Sequence, residues 1–87
     1  MLHEELRTAG KRGYGRLHNS FDGLYEEKLS NGYTVRVEKI RLRAGKFAWK
    51  LWYSLVSPDG QTPIAGQTYI DTFVRLASKK IETEVNA

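Results

Sequence analysis

The stretch FAWKLWYSLV, Phe47 to Val56, decides the fold. Its odd positions (Phe47, Trp49, Leu51, Tyr53 and Leu55) are all apolar, while its even positions (Ala48, Lys50, Trp52, Ser54 and Val56) are mixed. Alternation with period two in aromatic and branched residues marks a strand with one buried face. Such a strand needs partners for its backbone and a cover for its apolar side, and the flanking sequence offers both.

Immediately upstream, YTVRVEKIRLR (residues 33–43) also alternates, but its parity slips: Tyr33, Val35 and Val37 are odd, Ile40 and Leu42 even. One face stays apolar throughout only if an extra residue is accommodated near Glu38-Lys39, so a β-bulge is expected there. With a short turn around Ala44-Gly45-Lys46, the hairpin then pairs Leu42 with Trp49, Ile40 with Leu51, Val37 with Tyr53 and Val35 with Leu55. All four pairs share a face, as cross-strand packing requires.

Further upstream, SFDGLYEEKLSNG (residues 20–32) admits two readings. Phe21, Leu24, Tyr25 and Leu29 lie at helical spacing behind an N-cap candidate, Ser20. Against a helix, Gly23 falls in the first turn, and Asn31-Gly32 just before a clear strand is a strong hairpin signal. The strand reading, Leu24 to Leu29 with a turn at Ser30-Asn31-Gly32, is preferred.

Downstream, Ser57-Pro58-Asp59-Gly60 has the composition of a tight turn, with Pro presetting the backbone and Gly supplying positive φ. A short strand, Gln61 to Ala65, is expected next, at a sheet edge because Pro63 lacks a donor. Gly66-Gln67 breaks the chain before a helix that opens at Thr68-Tyr69-Ile70-Asp71, a capping-box-like start. Its stripe of Ile70, Phe73, Val74, Ala77 and Ile81 repeats at helical spacing. The helix should run to about Thr83, with Lys80 and Glu84 placed to pair one turn apart.

The N-terminal part reads differently. Residues 1–9 suit a short helix with Leu2, Leu6 and Ala9 on one side, whereas GKRGYGR (residues 10–16) holds three glycines and three basic residues. Glycine disfavours a helix interior, so this stretch is expected to be a mobile basic arm. It does not form a nucleotide-binding loop, since no strand precedes it and no Gly-Lys-Ser/Thr ending follows. The expected division is a flexible basic segment over 1–19 and a single small α+β domain over 20–87. That domain is an antiparallel sheet of three to four strands with the C-terminal helix packed on one face.

The chain has 87 residues, with 14 Lys and Arg against 10 Asp and Glu and a net charge of +4. This size allows one small domain, and the balance favours anionic partners such as nucleic acid or an acidic protein surface. Two Trp, five Tyr and three Phe give a thin core much of its area. Cysteine is absent, which suits the reducing cytoplasm and removes disulfide and thiolate sites. No run approaches the ~18 apolar residues of a membrane span, and the first residues are not those of a secretory signal.

No catalytic constellation stands out. His3 and His18 have neither cysteine nor a paired histidine to make a metal site, and no serine has the His-Asp context that activates a nucleophile. The expected function is therefore a non-enzymatic binding module without a cofactor. If the odd residues of the central strand face the helix, the other sheet face presents Arg36, Lys39, Arg41, Arg43, Lys50 and Trp52. Cations neutralise phosphates and an aromatic offers a stacking platform for an unpaired base, with Lys11, Arg12 and Arg16 as a basic arm. The same surface suits a rival reading: an accessory protein of a phage or mobile element that docks on a host protein and inhibits or adapts it, since Trp, Tyr and Arg are the usual hot-spot residues. An exposed sheet edge also offers a route to a homodimer.

Overall fold

The computed structural model of the chain describes residues 2–19, 23–41 and 49–85. Its elements are α1 (Leu2–Leu17), β1 (Gly23–Lys28), β2 (Thr34–Arg41), β3 (Trp49–Val56), β4 (Ile64–Gln67) and α2 (Ile70–Val85). The strands form one antiparallel sheet in the order β1-β2-β3-β4. Both helices pack on the same side of it, so the fold is a two-layer α+β arrangement.

Residues 10–16 are not a linker but the second half of α1. Leu6, Ala9, Gly13 and Leu17 make one buried stripe, with Gly10 buried beside it. The glycines allow contact rather than flexibility: a Cβ at Gly10 would lie 2.8 Å from Ile70 Cδ1 on α2, and one at Gly13 would lie 2.8 Å from Val37 Cβ on β2. Each glycine costs about 1 kcal/mol against alanine in a helix interior, a cost offset here by bringing the backbone of α1 onto both the sheet and α2. Glu4 and Glu5 in the first turn and Arg16 in the last match the helix dipole. Leu6, Ala9 and Leu17 belong to the same core as Val35, Val37, Leu55, Phe73 and Val74, so the N-terminal segment is packed in rather than a flexible arm over 1–19.

The β1–β2 hairpin follows the strand reading of residues 20–32. Gly32 takes φ +92°, its N–H reaches Leu29 O at 3.1 Å, and Asn31 Oδ1 accepts from Tyr33 N at 3.0 Å. In the β2–β3 ladder Val35 faces Leu55 and Val37 faces Tyr53, as alternation requires. The expected bulge does not occur in that ladder: the register continues through Glu38↔Trp52, Lys39↔Leu51, Ile40↔Lys50 and Arg41↔Trp49. The bulge would have kept Ile40 under a helix, but α1 ends before reaching this end of β2. Lys39 takes the helix-side position instead, and its Nζ donates to the His18 carbonyl at 3.0 Å, just past the C-terminus of α1. Leu42 and the turn at residues 44–46 lie outside the described residues.

The second turn is closed by Gly60 N to Ser57 O at 2.9 Å and Ser57 N to Gln61 O at 2.8 Å, with Gly60 at φ +90°. Beyond it β4 begins at Ile64, just after Pro63, later than the expected 61–65. The irregularity sits instead in β3–β4, between Tyr53↔Gln67 and Leu55↔Ile64. Gly66 adopts φ +67° there, donates to Ser54 Oγ at 3.2 Å, and lies against the Trp52 ring, where a Cβ would come within 3.3 Å. In α2 the stripe of Phe73, Val74, Ala77 and Ile81 is buried as its spacing implies. Asp71 pairs with Arg7 of α1, while Lys80 and Glu84 pair at 3.6 Å. No helix among the described residues is long and apolar enough to cross a membrane.

Candidate nucleic-acid interface

The register distributes the expected site residues over two faces. On the uncovered sheet face lie Arg36, Lys50 and Trp52, together with Glu26 and Glu38 from neighbouring strands. Arg36 Nε donates to Glu26 Oε2 at 2.9 Å, so its charge is already compensated. Trp52 is half-buried, with Gly66 against its ring and its indole N–H buried without a hydrogen-bond partner among the described residues. Lys39 lies on the opposite, helix side, because the ladder runs without a bulge. Arg41 pairs with Trp49 in the ladder, and Arg43 lies outside the described residues.

The basic residues of the expected arm are ordered on α1. Arg12 is bonded to Glu27 at 2.5 Å, and the Arg16 guanidinium stands 6.0 Å from the Tyr25 ring centre. Lys11 is exposed and close enough to Asp71 to help hold that carboxyl below its usual range, after the larger effect of Arg7.

What the fold does bring together is a different set. Tyr14 and His18 from α1 and its exit, Tyr53 and Lys50 from β3, Lys39 from β2 and Tyr69 from the approach to α2 line a cleft of about 510 Å³. It opens on the helix side of the sheet, at the end where α1 stops and α2 starts; Lys50, which the register places on the other face, borders it from the start of β3. Tyr53 forms the floor: it is 4% exposed, and its ring is tilted against Phe73 at 5.9 Å between centres. Burial, and then the neighbouring Tyr14, push the Tyr53 hydroxyl up. Tyr14 is 47% exposed and stacks on His18, with centres 5.0 Å apart and planes 22° apart. Tyr69 is 74% exposed. Lys50, one residue from the start of β3, is exposed and has no carboxylate partner among the described residues.

Of the cations, Lys39 and Lys50 line the cleft, and the Asp71 carboxylate at the start of α2 is held by Arg7. The opposite end mixes signs: Glu4 and Glu5 of α1, Asp59 of the second turn and Glu82 and Glu84 of α2 stand with Lys28 of β1 and Lys79 and Lys80 of α2. A larger groove of about 680 Å³ opens between α1 and the β1–β2 turn, but it is lined by Glu4, Glu5 and Glu27. Two of these are committed internally: Glu5 accepts from Ser30 N and Oγ at 3.1 Å, and Glu27 accepts from Arg12 and from Tyr25 at 2.6 Å.

Comparison with protein-family models, curated proteins and solved structures found no match. The functional reading therefore rests on the site itself. Among the described residues no group of three or more His, Cys, Asp and Glu is arranged to hold a metal ion. The one sequence signal for the cleft was the i, i+4 pair Tyr14 and His18, which shares a helix face only once residues 10–16 are read as helix.

Proposed function

We propose that this chain is a small non-enzymatic binding module, acting in the cytoplasm, that engages nucleic acid through its cleft end. One observation supports the reading: a single cleft is lined by Lys39 and Lys50 together with the exposed rings of Tyr14 and Tyr69. Clustered cations exchange counterions for phosphates, and exposed rings stack on unpaired bases. The contact surface of this proposal differs from the middle of the bare sheet face, where Glu26 pairs with Arg36 and Glu38 takes the next position on that face of β2; Lys50, on that face by register, borders the cleft from the start of β3. The test is fluorescence anisotropy with a labelled single-stranded oligonucleotide across a salt series. Affinity should fall log-linearly with salt, with a slope of about −0.7 for each phosphate neutralised. No binding at 50 mM salt, on the order of the low end of such series, removes the proposal.

A second reading draws on the bare face. Leu24 is 57% exposed there, and Ile40, Trp52 and Val56 lie on the same side, uncovered by either helix. An aromatic-centred apolar surface suits a protein partner, in keeping with a phage or mobile-element accessory protein that modulates a host factor. Affinity for a protein that survives high salt and collapses with Trp52→Ala supports this alternative. The exposed edge of β1 offers pairing with a second copy, which sedimentation at several concentrations would reveal.

A further inference from the structure

We infer that the cleft is a seat for one unpaired nucleotide, with the base between the tyrosines and the phosphate at the lysines. The inference deepens the nucleic-acid reading and rests on it. Its volume of about 510 Å³ lies inside the ~300–1,000 Å³ range of small-ligand sites, enough for a single base and its sugar-phosphate. The walls come from separate elements: the Tyr14–His18 stack at the end of α1 on one, Tyr69 ahead of α2 on another. Aromatic faces supplied in this way accept a base of any identity, because every base has a π-face.

The floor is apolar and fixed. Tyr53 is packed on Phe73, and Leu51 lies beside it on the same side of β3. Lys39, on the helix side of β2, and Lys50, on the other face at the start of β3, both border the cleft, one from each strand, and set two positive charges along its rim. Lys39 also donates to the His18 carbonyl at the α1 exit, while the His18 ring is held by its stack on Tyr14. A base within a duplex keeps both its faces covered by neighbours, and must be turned out of the stack to enter a concave site. The cleft therefore selects single strands, ends and bulges over flush duplex.

The test uses the full chain with three probes: uridine monophosphate, a single-stranded octanucleotide, and a blunt duplex of the same length. Uridine monophosphate should shift the NMR resonances of Tyr14, His18, Leu51 and Tyr69 and leave those of Leu24 and Val56 unmoved. Tyr69→Ala, a change at a 74% exposed side chain with no core role, should weaken octanucleotide binding roughly tenfold, the scale of losing one stacked base, while Tyr69→Phe stays within about twofold. Lys11→Glu, outside the cleft, should weaken single strand and duplex alike. If the octanucleotide binds but Tyr69→Ala and Tyr14→Ala leave it unchanged and the duplex binds equally, the nucleotide seat is wrong while the nucleic-acid reading stands. If uridine monophosphate moves the cleft resonances but neither oligomer binds, the cleft takes only free nucleotide, and both the nucleic-acid reading and the seat for a strand's unpaired nucleotide fall. If none of the three probes binds, both fall.

Discussion

The two ends of this small molecule treat their side chains in opposite ways. At the end formed by the two turns, polar groups close on one another: Tyr33 donates to Glu84, Glu5 accepts from Ser30, and Ser57 and Gln61 both donate to Asp59. At the other end aromatic rings and lysines border an open cleft, and the Asp71 carboxylate at the start of α2 is taken by Arg7. On the proposed reading, stability and recognition occupy opposite ends of the same two layers. A fold with so little core has reason to keep them apart, since a side chain satisfied internally offers less to a ligand.

Substitutions should separate the ends, and the largest effect belongs to the joint between them. Gly13→Ala places a methyl within the Val37 side chain, and overpacking of that kind costs about 1–3 kcal/mol. Gly15, with nothing within 4 Å of a would-be Cβ, is the internal control: Gly15→Ala should stabilise by up to about 1 kcal/mol through helix propensity. Urea denaturation of the pair distinguishes the two, and equal effects would mean that α1 does not dock through Gly13.

Tyr33→Phe should cost about 1 kcal/mol by losing the bond to Glu84, with oligonucleotide affinity unchanged. The same contact has a pH signature. The Glu84 carboxylate, with burial, pushes the Tyr33 hydroxyl from 10.0 up to about 12. A raised pKa means that the folded state retains the proton longer, so this contribution is complete below pH 10 and is lost as pH rises through about 12. Stability measured across that window should decline less steeply in Tyr33→Phe than in the parent protein. On the acid side Asp59 is held below 3.8 chiefly by the Ser57 hydroxyl, so its contribution is present above that pH and lost as pH falls through the lowered value.

At the cleft end the order reverses. Lys50→Ala should leave the unfolding free energy from urea denaturation within the usual ±0.5 kcal/mol, roughly, of an exposed substitution, yet reduce the salt slope of single-strand binding by about 0.7. The smallest effect is expected on the bare sheet face. Arg36→Ala removes an exposed cross-strand pair with Glu26, worth about 0.2–1 kcal/mol, and should not alter affinity. If Arg36→Ala weakens nucleic-acid binding more than Lys50→Ala does, the contact surface lies on the sheet face and the assignment of the two ends is wrong.

Much of the fold is legible in local pattern. The alternation of Leu51, Tyr53 and Leu55, the Asn31-Gly32 turn, Ser57-Pro58-Asp59-Gly60 and the stripe of α2 each act through neighbours in sequence, and each holds in the structure. The second half of α1 is illegible for a physical reason: Gly13 is a core position whose contribution is the absence of a side chain, which no hydropathy count registers. Tertiary contact overrides its poor helix propensity. The bulge near Glu38 is expected only if a helix covers the sheet along its whole length, and α1 ends short of Lys39. From that residue onward the faces are exchanged, which takes Lys39 away from Trp52 and sets it beside Tyr14 and His18. Neutralisation of Arg36 depends on the β1 register, Glu26↔Arg36, a long-range fact that strand alternation alone does not supply.

The clasp between Arg7 and Asp71 joins residues 64 positions apart and ties the two helices together next to the mouth. If the cleft takes a phosphate as proposed, this pairing offsets an acidic charge at the start of α2, and it links that start to the helix that carries Tyr14. An exposed pair of this kind contributes little to stability, so a substitution at position 71 should act on the charge of this end more than on the fold.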